Sequence, residues 1–369
     1  MTDRTRLLLL TTGMAAFILL GLAQAIFGPV LPVYAKIFGL QIASVSWVLS
    51  LFWLGCLGAV IAVYLLPAAL GPKSGLALAA LGTGLMALML NWPSVLLGAV
   101  LFGAGYGVIA AVYNPRVLAA FGPRGPAMMS LLNAIFTIGA IAAPQIFLAF
   151  DRNPSLTFFS FAAFTTAILA ATLLMGDTRV TATAHTTDMP IDPLTLGFAA
   201  FGIGLESSLV GLGPTALVLA GKAEVEATQL LSLFFLTYLA ARLSLVFIAH
   251  LIPAFVLYAG SVSLLGVLTA AILLGADVGV VFPMMGFACG PLFHGAYLTG
   301  LKRMGASTRV SALLLGAGLV GAILLPMGIS QLLAGLGPMG FFQIAMALTA
   351  AMALAAWASA RRMLRAKIS

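Results

Sequence analysis

The sequence predicts an all-α membrane protein, with twelve transmembrane helices arranged as two six-helix bundles related by pseudo-symmetry. Three observations carry that prediction. Of the 369 residues, 62% are hydrophobic and only 7% charged, against roughly 25% charged in a soluble domain, so lipid is the solvent for most of the chain. Apolar stretches of about 18 to 25 residues recur along its length, each enough to cross a hydrocarbon core of roughly 30 Å at about 1.5 Å per residue. The second half repeats the first at a fixed offset. The apolar stretches are continuous rather than alternating, which excludes a transmembrane barrel. Backbone groups in lipid must be satisfied internally, and helices remain as the way across.

The twelve spans are expected at roughly 7–35, 44–68, 74–91, 94–120, 126–149, 155–175, 193–219, 227–248, 252–274, 278–300, 308–333 and 338–360. Span one follows Arg4 and Arg6 and passes through Ala23-Gln24-Ala25, which resembles a signal-peptide cleavage site. The repeat includes this segment, so it is expected to belong to the mature fold. Spans two and three are joined by PAALGPKSG (Pro67 to Gly75). Span four holds GAGYG (Gly103 to Gly107) and the Asn114-Pro115 pair, and span five ends in GAIAAP (Gly139 to Pro144). Spans six and seven are separated by GDTRVTATAHTTDMPIDP, rich in Thr, Asp and Pro, which reads as a solvated linker. The expected organisation is therefore an N-terminal bundle over 1–175, a linker over 176–192 and a C-terminal bundle over 193–369. Trp92 and Trp357 fit the aromatic belts at the membrane surface.

Lys and Arg set the orientation. Arg4, Arg6, Lys73, Arg124, Arg179, Lys302, Arg303, Arg309, Arg361, Arg362, Arg365 and Lys367 fall on one side, mainly Lys36, Arg152 and Lys222 on the other. That asymmetry places both termini and the linker in the cytoplasm. It also accounts for the net charge of +8 without nucleic acid as a partner. Asn153-Pro154-Ser155 is blocked as a sequon by its proline. With the compact loops, this favours a bacterial inner membrane. Cys56 and Cys289 read as small core residues, with no disulfide framework or metal set. GAGLVG (Gly316 to Gly321) spells a dinucleotide fingerprint but lies inside span eleven with no strand before it, so close helix packing explains it better. No cofactor is expected, nor an enzyme, and a monomer is the expected state.

A shift of 182 positions superposes the halves. VLSLFWL (Val48 to Leu54) lands on LLSLFFL (Leu230 to Leu236), Pro32 on Pro214, Gly39 on Gly221, and GAIAAP on GAILLP (Gly321 to Pro326). The single offset holds from the first hairpin to the fifth span without net insertion. Parallel six-span repeats are an architecture of secondary transporters, with the solute site near midplane between the halves.

Taken together, the twelve spans, the central linker and the repeat resemble the major facilitator superfamily over nearly the whole chain. Gly139 and Pro144 keep part of the GxxxGP-like end of span five, with Ala143 for the second glycine. The loop between spans two and three keeps only Gly71 and Lys73 of the acid-and-basic pattern usual there. If that loop gates the two states in relatives, this chain gates with fewer charges. Within the superfamily, Asn114-Pro115 and GPLF (Gly290 to Phe293) resemble the fucose–proton symporter-like branch. The acids which that branch places near the positions of Gly28 and Ala110 are missing, so neither fucose specificity nor coupling through those sites carries over.

GIGLESSLVGLGP, Gly202 to Pro214, contains the residue most in need of explanation. Glu206 lies about thirteen residues into span seven, about 20 Å from the span's start and near mid-membrane. An ionised acid there costs roughly 2.5–3.5 kcal/mol to insert. Under the repeat it coincides with Gln24, which predicts that both point away from lipid. A desolvated carboxyl that can load a proton suits proton coupling. A structural acid, hydrogen-bonded or paired with a cation, is the alternative. Gln24 offers a donor and an acceptor to a solute or to a neighbouring helix. His294, with Tyr297 one turn later, can relay protons, contact solute or serve as a neutral hydrogen-bond partner. Arg116 and Arg242 can snorkel along their stems to the interface; otherwise one pairs with Glu206 or binds an anionic solute. Asn114 and Asn133 lie toward the inner ends of spans four and five, and Asn114 also serves the backbone freed by Pro115. Tyr34, Tyr106, Tyr113 and Tyr238 are candidate cavity-lining residues.

The sequence therefore predicts a secondary transporter of a small polar organic solute, proton-coupled through Glu206. A gradient-independent facilitator, an exporter of amphipathic compounds and a non-transporting scaffold with the same fold remain as alternatives.

Overall fold

The computed structural model describes residues 3–66, 69–121, 125–173, 191–248, 251–304, 308–333 and 335–364. Most of the expected linker, with His185, lies outside them. Those residues form α1 (Asp3–Phe38), the single-turn α2 (Ile42–Val45), α3 (Trp47–Leu65), α4 (Pro72–Leu88), α5 (Trp92–Phe121), α6 (Gly125–Ala149) and α7 (Pro154–Leu173). They continue with α8 (Pro193–Leu219), α9 (Glu224–Ile248), α10 (Ala254–Leu273), α11 (Val278–Met304), α12 (Thr308–Leu333) and α13 (Gly340–Leu364). Each of the twelve expected stretches is occupied by one long helix. Ten described helical stretches are long and apolar enough to cross a membrane. Of the other two helices, α4 has 17 residues and α6 offers an apolar run over Ile135–Ala149. Many of the long helices present large apolar side chains outward, as lipid-facing helices must: Leu81, Leu97, Phe159, Val267 and Leu354 are all exposed.

The chain divides into two compact units, 1–185 and 186–369. In the first, α1 packs on α6, α5 on both α3 and α4, and α4 on α7. In the second, α8 packs on α12, α11 on both α9 and α10, and α10 on α13. The second pattern is the first one repeated, helix for helix.

The repeat extends to single atoms. Gly39 ends α1 and Gly221 follows α8, both with positive φ (62° and 95°). Behind them Leu40 N–H donates to the Ala35 carbonyl and Lys222 N–H to the Leu217 carbonyl, each over 3.0 Å. This is the left-handed cap that closes a helix, a conformation open to glycine at no steric cost. Gly139 of α6 lies so close to α1 that a Cβ there would run into the Ile18 carbonyl, and Gly321 of α12 stands in the same relation to Ala200 of α8. Both pairs keep the offset of 182. One place slips. Gly103 and Gly107 of α5 sit against the Phe52 and Cys56 carbonyls, and Gly286 and Gly290 of α11 against those of Phe234 and Tyr238. The offset is 182 on α3 and α9 but 183 on α5 and α11. One extra residue enters the second half between these helices and is removed before Gly321, which is why the sequence shows no net insertion.

Candidate polar relay on α8, α9 and α11

In the second unit α8 starts with Pro193 at its first position, directly after Asp192. Pro214 lies inside the same helix, and Pro326 inside α12. A proline within a helix leaves the carbonyl four residues earlier without its usual donor. For Pro326 that is Ala322, and the Ser207 hydroxyl of α8 reaches it at 3.4 Å. Glu206 is the residue before this serine. It is half-buried, flanked by buried Leu205 and Ser207.

Tyr238 and Arg242 lie one turn apart on α9, the spacing that brings side chains onto one face. Tyr238 is fully buried among Phe234, Phe235 and α11. Its hydroxyl donates to Glu206 Oε1 over 3.1 Å and accepts from Arg242 Nη2. The guanidinium also lies over the Tyr238 ring, with Cζ 4.5 Å from the ring centroid. A phenol can do both at once, donating to an acid and accepting from a base. Glu206 and Arg242 themselves make no direct ion pair among the described residues. Arg242 Nε is buried and finds no acceptor among them. From α11, buried Cys289 stands within electrostatic reach of Glu206, and exposed His294 within reach of Arg242. Tyr297, half-buried, packs on Phe293 with ring centroids 5.2 Å apart. Glu206, Tyr238, Arg242, His294 and Tyr297 therefore belong to one unit, the first three joined by hydrogen bonds.

The remaining candidates belong to the first unit. Gln24 is half-buried between buried Ala23 and Ala25 in the middle of α1. Tyr34 is fully buried, packed edge-on against Trp92 at 5.7 Å and beside Phe38 at 5.9 Å. Tyr113 is likewise wholly enclosed. Burial of a large aromatic ring stabilises the helix contacts. Tyr106 is half-buried and edge-on to Phe52 and Trp53, each at 5.5 Å. Arg116 reaches back to the start of α4, where a Cβ on Gly71 would lie 3.4 Å from its Nη2. The side chains of Asn114 and Asn133 lie outside the described residues.

Sequence reasoning missed a second polar centre. At the N-terminus of α8, Asp192 accepts from Arg303 Nε of α11 and, at 2.8 Å, from the Thr195 hydroxyl. Arg303 Nη1 donates to the Arg362 carbonyl of α13 at 2.6 Å. Three helix ends are thus clasped through two buried side chains. Burial works against the Asp192 charge, but the bonds from Arg303 and Thr195 outweigh it and hold the carboxyl below its ordinary range. An acid directly before a proline at a helix start was the available signal. At the opposite end of α8, half-buried Lys222 pairs with Glu226 at 2.8 Å and Asp277 at 3.2 Å. These bonds, that to Glu226 first, raise the Lys222 ammonium above its ordinary value. The Gly279 N–H and then Lys222 lower the Asp277 carboxyl.

No family model and no curated protein matches the sequence. Solved structures do match in fold. A nucleoside transporter, NupG, aligns with TM-score 0.76 and 16% identity over 99% of this chain and 100% of that one. A D-xylose–proton symporter aligns with TM-score 0.71 and 11% identity, over 95% and 97%. FucP, a major facilitator superfamily transporter in the outward conformation, aligns with TM-score 0.63 and 17% identity, over 98% and 100%. The repeated six-helix pattern, the apolar surfaces and these full-length alignments lead to one statement: the chain is a multi-pass membrane protein with the major facilitator fold.

Proposed function

We propose that this protein is a secondary transporter of a small polar organic solute, coupled to protons through Glu206 and working by alternating access. The observation that carries the reading is the hydrogen-bonded series Glu206–Tyr238–Arg242 inside two apolar helices. An acid in a membrane span is costly, and such residues mark functional sites. Here it is neither neutralised by direct contact with a cation nor exposed to bulk. It is connected to one through a hydroxyl, an arrangement that changes when a proton arrives. A proton on Glu206 shifts the balance between conformations only if the two bind it with different affinity. The D-xylose–proton symporter among the similar structures shows that one protein of this fold is named for such coupling. The two-bundle organisation with a linker over 176–192, and cytoplasmic termini in a bacterial inner membrane, belong to the same proposal.

The test is proteoliposomes holding a trapped pH-sensitive dye, challenged with sugars, nucleosides, carboxylates and cations. The expected result is that the transported solute carries protons inward, and that Glu206→Gln abolishes that proton movement while the protein stays folded. Solute-linked proton uptake identical in the variant and the parent refutes the coupling role.

A further inference from the structure

The membrane-embedded part of the second unit has a short charge inventory. α8 carries one acid, Glu206, and α10 no charged residue; past its first turn, α9 carries only Arg242. α11 carries Lys302 and Arg303 in its last turn. α12 has Arg309 near its start, and α13 has Arg361 and Arg362 in its last turn. The titratable and charged groups around Glu206 within this unit are therefore Tyr238 and Arg242 from α9 and Cys289 from α11, with exposed His294 near Arg242. With Glu206 ionised the interior holds one negative and one positive charge, bridged by the Tyr238 hydroxyl. With Glu206 protonated, half-buried Arg242, its Nε enclosed, is left as a cation without that counter-charge.

We infer that the solute is a small organic anion, a carboxylate, which replaces ionised Glu206 as the counter-charge of Arg242 when Glu206 takes up its proton. The inference rests on the proton-coupled reading above and names its substrate class. Three features point the same way. A lone buried charge is expensive, whereas a charge with a hydrogen-bonded partner is not. Arg242 has a donor to spare, since its buried Nε–H has no acceptor among the described residues. A guanidinium matches a carboxylate with two parallel bonds, a fit that a neutral hydroxyl cannot reproduce. Tyr238 blocks that fit in the present state by holding Nη2 and covering the guanidinium face. Protonation removes the charge that draws the Tyr238 hydroxyl toward Glu206, and the guanidinium is freed. One proton and one monoanion then cross together, and the step moves no net charge.

The experiment uses the full chain, with benzoate and lactate as probes, their neutral amides as controls, and D-xylose and uridine as neutral solutes. Thermal shift at pH 5.5 and 7.5 reports binding. Uptake in proteoliposomes with and without an imposed membrane potential reports charge movement. A carboxylate is expected to bind about tenfold more tightly at the lower pH, its amide not at all, and its uptake to ignore the potential. Glu206→Gln should bind the carboxylate equally at both values. Arg242→Gln should lose binding, while Arg242→Lys, which keeps the charge, retains part of it and controls for folding. Absence of any carboxylate effect in the parent overturns the inference. So does a neutral solute whose uptake is proton-driven, potential-sensitive and unaffected at Arg242; in that case proton coupling stands and only the anion fails. No proton movement with any solute defeats the underlying reading instead.

Discussion

Tyr238 donates its hydroxyl proton to Glu206 across 3.1 Å, from the middle of one membrane helix to the middle of the next. The repeat shows how specific this bond is to one half of the molecule. At the equivalent positions of the first unit Glu206 is Gln24, Tyr238 is Cys56, Arg242 is Val60, and His294, with the offset of α11, is Ala111. The two units share a packing plan, and the ionisable chemistry has been placed on one of them. A duplicated scaffold tolerates this because the helix contacts are made by glycines and carbonyls, which leaves these side-chain positions free to differ.

The hydroxyl of Tyr238 should matter more than its ring. Tyr238→Phe keeps the packing against Phe234 and Phe235 but removes both hydrogen bonds, each to a charged group and worth about 1.5–3 kcal/mol. Proton-linked uptake is expected to fall by about 10- to 100-fold, with a flattened pH profile, and Tm to drop with the lost bonds. Parent rates and a parent pH profile would take the hydroxyl out of the pathway.

The Asp192–Arg303 clasp makes stability depend on acid. A carboxyl held below its ordinary value of 3.8 stabilises the fold fully above that value, and the contribution is lost as pH falls through the lower native one. Asp192→Asn leaves Arg303 buried without its counter-charge and is expected to cost about 3–5 kcal/mol at neutral pH. The measurement is Tm in detergent from neutral pH down to below pH 3. The parent should lose stability on acidification more steeply than the variant; parallel curves would deny Asp192 that role.

Gly139 and Gly321 should be equally intolerant of a side chain, since each faces a carbonyl on the helix it packs against. Gly139→Ala and Gly321→Ala are each expected to destabilise by about 1–3 kcal/mol. Gly260→Ala, where an added Cβ meets open space, should be neutral or slightly stabilising, because alanine is the better helix former. If all three behave alike in a thermal melt, close approach at these two sites is not what holds α1 to α6 and α8 to α12.

Much of this was legible without coordinates. Twelve helices follow from the length and continuity of the apolar stretches, because lipid forces every backbone group to bond within its own helix. The repeat follows from shared Pro, Gly and Ser at one offset, since caps, kinks and close contacts require those residue types at fixed places. Glu206 stood out by cost alone. What the sequence could not decide was its partner: Arg116 and Arg242 were equal candidates, and the intervening Tyr238 hydroxyl had no signal of its own. Tyr238 and Arg242 lie more than thirty residues downstream, and aromatic residues in an apolar run look alike whether they pack, as Tyr34 does, or carry a polar bond. The Asp192–Arg303 clasp was hidden for the same reason, its partners being 111 residues apart. Composition and periodicity set the helices and their number, because those depend on solvent and local backbone geometry. Which side chains meet is decided only when helices distant in sequence pack together, because a hydrogen bond is made by position in space and leaves no periodic trace in the chain.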